Sequence, residues 1–219
     1  MTTANHSRWR TFVHYVQRHG VVASLNLLVL HPLERFSILR IGGVYRTTTA
    51  PPDSLPPLAE GMEARFLSEA EIDAHVQAGA PWFFPSAVAR SLARGERCFA
   101  VLERGRMYCS RWIAPGPLRQ MGLDLVAPAH TLFVHRVFTE PEARGRGLAG
   151  TAGLYSDATL RSEGIAWTLS TILATNGASV ALSRKAGSSR VGWIVQVGPE
   201  TWNWAWLIRT SGDCPLARL

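Results

Sequence analysis

The chain has 219 residues, 47% of them hydrophobic, three cysteines and a formal charge of +7, which suits one domain with ample apolar surface for a core. No run approaches the roughly 20 apolar residues of a membrane-spanning helix, and Cys98, Cys109 and Cys214 are odd in number and match no metal motif. The charge is uneven: residues 1–50 hold six arginines and one acid, the rest 17 basic and 15 acidic residues, and no basic stretch interleaves with aromatics as a nucleic-acid reader would.

Taken in chain order, Trp9, Phe12, Val13 and Val16 recur at helical spacing. An apolar run follows from Val21 to Leu30. Arg35 to Ile41 alternates loosely, and Gly42-Gly43 after it suggests a strand that ends in a turn. Residues 51–61 are proline-rich and read as a linker. Met62 to Leu67 is a short strand. Ser68 with Glu71 opens a helix through a capping box, and Pro85 to Ala93 is a second helix. Arg97 to Leu102 and Met107 to Ile113 form a hairpin around Gly105, and Thr131 to Phe138 is a long apolar strand. Arg146 to Glu163 is a helix stopped by Gly164. Then come a strand (Ala166 to Ile172), a helix (Asn176 to Ala186) and two strands (Arg190 to Val197, Asn203 to Ile208). The predicted fold class is α/β of the α+β type, a mixed, mostly antiparallel sheet flanked by helices. The predicted layout is a basic extension over 1–50, the linker, a main domain over 62–212 and a tail over 213–219.

The join between the long strand and the helix after it carries the chemistry. Gly145 and Gly147 let the backbone turn sharply and a ligand come close to the main chain. The first amides of a helix lack partners, and the helix dipole makes that end partly positive. A pyrophosphate fits such a site, and Arg144 and Arg146 add charge. Gly145, Gly147 and Gly150 also satisfy the dinucleotide pattern G-x-G-x-x-G, but a hairpin before the strand argues against a Rossmann half.

These residues resemble the GNAT (Gcn5-related) N-acetyltransferases. The family's acyl-CoA motif matches Arg144, Gly145, Arg146, Gly147, Leu148 and Ala149, and a second family mark on the next helix matches Asn176, Ser179, Leu182, Lys185 and Gly187. The resemblance covers about residues 62–210. It implies the GNAT fold and an enzyme that moves an acetyl or other acyl group from acyl-CoA to a primary amine, without a metal. In that reading the amides of Gly145 to Ala149 hold the pyrophosphate. The backbone of Val137, Phe138 and Thr139 holds the pantetheine arm and polarises the thioester. Asn176, Ser179 and Lys185 complete the donor site.

Ser183 stands where the family often has a tyrosine that protonates the leaving thiolate, so Ser183, Tyr155 or no dedicated acid stay open. His135, on the long strand in alternation with Val137 and Thr139, is the candidate base, with Glu103 and Glu140 as alternatives. Two further readings keep the fold: a longer acyl group delivered by an acidic acyl carrier protein docked on the basic N-terminal region, or a CoA sensor without turnover. Trp202, Trp204 and Trp206 alternate on the last strand, as a core row, a self-association surface for a homodimer, or the wall of an apolar acceptor groove. The N-terminus lacks a signal-peptide layout, so the expected location is the cytoplasm.

Overall fold

The computed structural model describes residues 30–36, 38–198, 204–210 and 216–218. The helix expected around Trp9 to Val16 lies outside them, as do Trp202 and Cys214. Residues 30–35 are helical and lead into β1 (Leu39–Thr48). After it come β2 (Met62–Phe66), α1 (Glu69–Gln77), α2 (Pro85–Ala93), β3 (Arg97–Glu103) and β4 (Arg106–Ala114). Next are β5 (Leu118–Gln120), β6 (Leu123–Val126), β7 (Thr131–Thr139), α3 (Leu148–Ser162) and β8 (Trp167–Leu173). The chain continues with α4 (Gly177–Lys185), β9 (Ser189–Val197), β10 (Trp204–Arg209) and β11 (Ala217–Arg218).

Local chemistry explains most of these bounds. Ser68 accepts the Glu71 amide at 3.3 Å while the Glu71 carboxylate accepts the Ser68 amide at 2.8 Å, so two orphan donors at the start of α1 are satisfied at once. α2 begins at Pro85, whose fixed φ and missing N–H suit a first helical position. α3 ends before Gly164, at φ +85°.

The main sheet runs β10-β9-β1-β8-β7-β4-β3-β2. Its pairs are antiparallel except β7 with β8. This is the mixed, mostly antiparallel sheet that the sequence implies. One expectation fails. Gly42 and Gly43 do not end a strand but sit inside β1, between β8 and β9. Both flanks of β1 are paired, and its faces are crowded: a Cβ at Gly42 would lie 2.6 Å from Met121 Sδ, and one at Gly43 would lie 2.8 Å from the Tyr45 ring. Here the glycines provide close approach instead of a turn.

Each face of the sheet has its own cover. α1, α2 and the loop between them bury Ile72, Phe83 and Val88 against Cys98, Ala100 and Trp112. Further along that face, the small sheet β11-β6-β5, which the sequence reading did not anticipate, packs Leu123, Leu125 and Leu216 on Val44, Phe133, Leu169 and Ile194. On the opposite face α3 lays Leu148, Ala152 and Leu160 on Phe99, Val101, Cys109 and Val134. Fully buried side chains such as Ile72, Phe99 and Leu160 each contribute about 1.5–3 kcal/mol. Inside this layer lies one ion pair: Arg111 of β4 reaches Asp157 of α3 at 3.3 Å and donates to Ser156 Oγ at 2.8 Å, all three residues being buried. Among the described residues no helix is long and apolar enough to cross a membrane.

Candidate active site

β7 and β8 pair only from Thr131–Val134 to Trp167–Ser170. Beyond that point each follows its outer neighbour, β7 on β4 as far as Thr139 and β8 on β1 as far as Leu173. Two parallel strands thus part into a V, and its inner edges present backbone groups with no strand between them. At the apex, β7 carries a bulge. Trp112 faces His135 while Ser110 faces Phe138, so three steps on β7 oppose two on β4, and Arg136 absorbs the extra residue at φ +47°. The bulge corrects the simple alternation expected of His135 with Val137 and Thr139. His135 and Arg136 turn toward the side of α2, where both meet Glu96. Thr139 turns toward α3 and donates its hydroxyl to Cys109 Sγ at 3.3 Å. Val137 is exposed.

From Thr139 the chain passes through a short 3-10 turn, Pro141–Ala143, into the glycine loop. Gly145 and Gly147 both hold left-handed φ, +83° and +80°, and a Cβ on either would meet nothing within 4 Å, so the loop faces open space. Gly147 is the N-cap of α3 and supplies no side-chain cap. The first intrahelical bond runs from Thr151 N to Gly147 O at 3.1 Å, which leaves the amides of Leu148, Ala149 and Gly150 aimed outward at the positive end of a 15-residue helix. The Leu148 side chain is buried in the core under α3, so this residue can offer a ligand only its amide. Arg144 Nε donates to Thr139 O at 3.3 Å. Arg146 pairs with Glu103 at 3.0 Å and lies over the Tyr108 ring, pointing to the β3–β4 hairpin.

The second marked helix packs beside the first. A Cβ at Gly150 would lie 3.9 Å from Leu182 of α4. Asn176 caps α4, its Oδ1 accepting from Ser179 N at 3.1 Å. Ser183 is half-buried and Lys185 exposed. The Tyr155 hydroxyl donates to the Pro56 carbonyl, which commits it to the segment before β2.

Glu96 and Arg136 were not among the residues singled out from sequence. Glu96 follows the turn that ends α2, and its side chain is 0% exposed. It takes an ion pair from Arg94, another from Arg136 Nη2 at 3.1 Å, and a contact from His135 Nε2 at 3.0 Å that is close but off hydrogen-bond geometry. Ser91 bonds to Arg136 beside it. Burial alone would raise the Glu96 pKa, but contacts with His135, Arg94 and Ser91 outweigh it and hold the carboxyl at about 2, against an ordinary 4.5. A folded value below the unfolded one adds stability above about pH 4.5, and that stability drains away as pH falls toward 2. Its size is on the order of 3 kcal/mol. Chemical denaturation at pH 6, 4 and 3 should show the loss, and Glu96→Gln should flatten that slope. Cys98 and Cys109 are poor nucleophiles by the same physics: burial pushes the Cys98 thiol up to about 12 and raises that of Cys109.

Aromatic residues gather on the α2 side of β7. In the loop between α1 and α2, Phe83 is buried against Trp112 while its neighbours Trp82 and Phe84 are 57% and 60% exposed. Trp82, at φ +70°, sits 5.3 Å from the Phe138 ring, just past the bulge. Trp204 and Trp206 do not share this place. β1 lies between β8 and β9 and leaves β10 at the sheet edge, four strand positions from β7, or roughly 19 Å. Among the described residues no group of His, Cys, Asp and Glu is arranged to hold a metal.

No protein-family model matches the sequence, and no curated protein matches it. Solved structures do match the fold. A GCN5-related N-acetyltransferase from Sphaerobacter thermophilus is 18% identical with a TM-score of 0.53, the match covering 85% of this chain and 58% of that one. A GCN5-related N-acetyltransferase from Kribbella flavida is 16% identical with a TM-score of 0.46 over 85% of this chain and 65% of that one. The chain thus spans about three fifths of the length of these structures. The parted parallel strands, the bulge at their apex and the glycine loop opening α3 are held in one architecture, and that architecture is the fold of the GCN5-related N-acetyltransferases.

Proposed function

We propose that the protein is an N-acyltransferase that moves a short acyl group, acetyl in the simplest case, from coenzyme A to a primary amine. The observation that carries this reading is the join of the V between β7 and β8 to the uncapped, glycine-opened start of α3. The pyrophosphate lies on the glycine loop and the outward amides of Leu148 and Ala149, the Arg146 amide being bonded to Ala143 O at 3.4 Å, and Arg144 at the rim adds charge. The pantetheine arm runs along the open edge of Val137 to Thr139, with Asn176 and Ser179 facing it from the start of α4. Amides on that edge polarise the thioester carbonyl, and one such donor contributes about 3–4 kcal/mol to a transition state of this kind. Holding both reactants in one groove supplies much of the remaining rate.

His135 stands at the apex and takes the proton of the attacking amine. The nitrogen forms its bond to the acyl carbon, the carbon–sulfur bond breaks, and the electron pair leaves on sulfur. A thiol is acidic enough to leave without strong assistance, so Ser183, too short to reach as far as a tyrosine, acts through water or not at all. The Tyr155 hydroxyl, already bonded to Pro56, is not the acid.

The acceptor meets Trp82, Phe84 and Phe138. Exposed rings beside the reacting strand favour an amine carrying an aromatic or apolar group, whose cation is also attracted to a ring face before it loses its proton. Free-thiol release on mixing acetyl-CoA with a panel of amines tests the reaction. Trp82→Ala should raise KM for aromatic amines about tenfold and leave small aliphatic amines unchanged. An unaltered preference would remove the acceptor assignment, and no thiol release from any amine would remove the enzyme.

A further inference from the structure

We propose that Glu96 is the positioning residue for His135, fixing the ring through Nε2 so that Nδ1 is the nitrogen that receives the amine proton. This rests on the acyl-transfer reading above. His135 is 12% exposed and Glu96 not at all, and Nε2 lies 3.0 Å from Oε2. With Nε2 turned into the protein, only Nδ1 is left for the groove. The neutral ring that can accept a proton at Nδ1 carries its hydrogen on Nε2, and a buried carboxylate next to Nε2 selects that tautomer.

The groups around the ring come from three elements. Arg94 closes α2 and Arg136 follows His135 on β7, both paired with Glu96, while the Cys98 thiol of β3 sits near Arg136. The two guanidiniums lie against the carboxylate as counter-charges. When His135 takes the proton, the new charge on the ring faces Oε2, and the 3.0 Å contact can tighten into a charge-assisted hydrogen bond. The proton thus moves from the amine nitrogen to Nδ1 as the nitrogen–carbon bond forms, and leaves to water or to the departing thiolate. The bulge is what makes this geometry available, since a regular strand would not turn both His135 and Arg136 onto the same carboxylate.

The test uses the full chain with Glu96→Gln and Glu96→Asp. Long-range proton–nitrogen spectra of the His135 imidazole, recorded without substrate, should show the Nε2–H tautomer in the wild type and a mixture in Glu96→Gln. In the thiol-release assay Glu96→Gln should lower kcat about 10- to 100-fold with KM for acetyl-CoA within twofold, and Glu96→Asp should recover part of kcat. If Glu96→Gln does not fold, Glu96→Asp, whose shorter side chain draws the carboxylate away from Nε2, should show the same two changes at smaller size. A tautomer unchanged between wild type and variants, in a protein that does turn over, overturns the role of Glu96 and spares the acyl-transfer reading. A wild type that releases no thiol, even with the Nε2–H tautomer present, overturns that reading and with it the catalytic use of the pair.

Discussion

Replacing His135 with Gln should lower kcat/KM for the proposed acyl transfer about 10²- to 10⁴-fold, the range associated with loss of a positioned acid–base group, and leave coenzyme A binding unchanged. The separation of effects follows from the geometry. His135 sits at the apex of the V and turns toward α2 and Glu96, whereas the donor site is built from backbone of the glycine loop and of β7 beyond the bulge. In the proposed reading the side chain therefore serves the amine and not the nucleotide. Thiol release read against acetyl-CoA affinity checks this. A variant within threefold of wild type would take His135 out of the chemistry and return attention to Glu103 and Glu140, of which Glu103 is paired with Arg146.

The second large effect concerns stability. Asp157→Ala leaves Arg111 buried between β4 and α3 with only Ser156 as partner among the described residues. An uncompensated buried charge costs roughly 3–5 kcal/mol, which in a chain of this size lowers Tm by about 10 °C. Replacing both partners together, Arg111→Met with Asp157→Leu, should cost far less, because no charge is then stranded. Calorimetric unfolding of the single and double variants distinguishes the two cases. Function should follow the single variant down, since Arg111 stands on β4 opposite the bulge while Asp157 belongs to the helix whose N-terminus opens the donor site. A single variant as stable as the double one would mean that solvent or rearrangement relieves Arg111.

The parts legible from sequence are those written in local chemistry. The capping box at Ser68, Pro85 at the start of α2 and the glycines around α3 each fix a backbone feature within a few residues, and those elements stand where the sequence puts them. The proximity of the two marked helices was legible only through resemblance, and the contact of Gly150 with Leu182 gives it a physical form. What escaped depends on partners far away in the chain. Gly42 and Gly43 read as a turn because nothing nearby reveals that β8 and β9 flank them. The bulge at Arg136 has no local signal, so alternation along β7 misplaced His135 relative to Val137. Glu96 looks like a solvated turn residue until the fold brings Arg94, His135 and Arg136 around it. Trp82 lies between Pro81 and Phe83 in a loop whose place beside Phe138 is set by packing alone.

Calorimetric titration of coenzyme A into the wild type and Gly147→Val goes directly to the claim that main-chain donors at the start of α3 hold a pyrophosphate. At φ +80° a β-branched residue is strained and would reshape the loop. The account predicts saturable one-to-one binding in the wild type, weakened at least about tenfold in the variant, with the unfolding midpoint lowered by only several degrees so that the variant is still folded at the titration temperature. Equal affinity in both proteins, or no binding to the wild type, would contradict it.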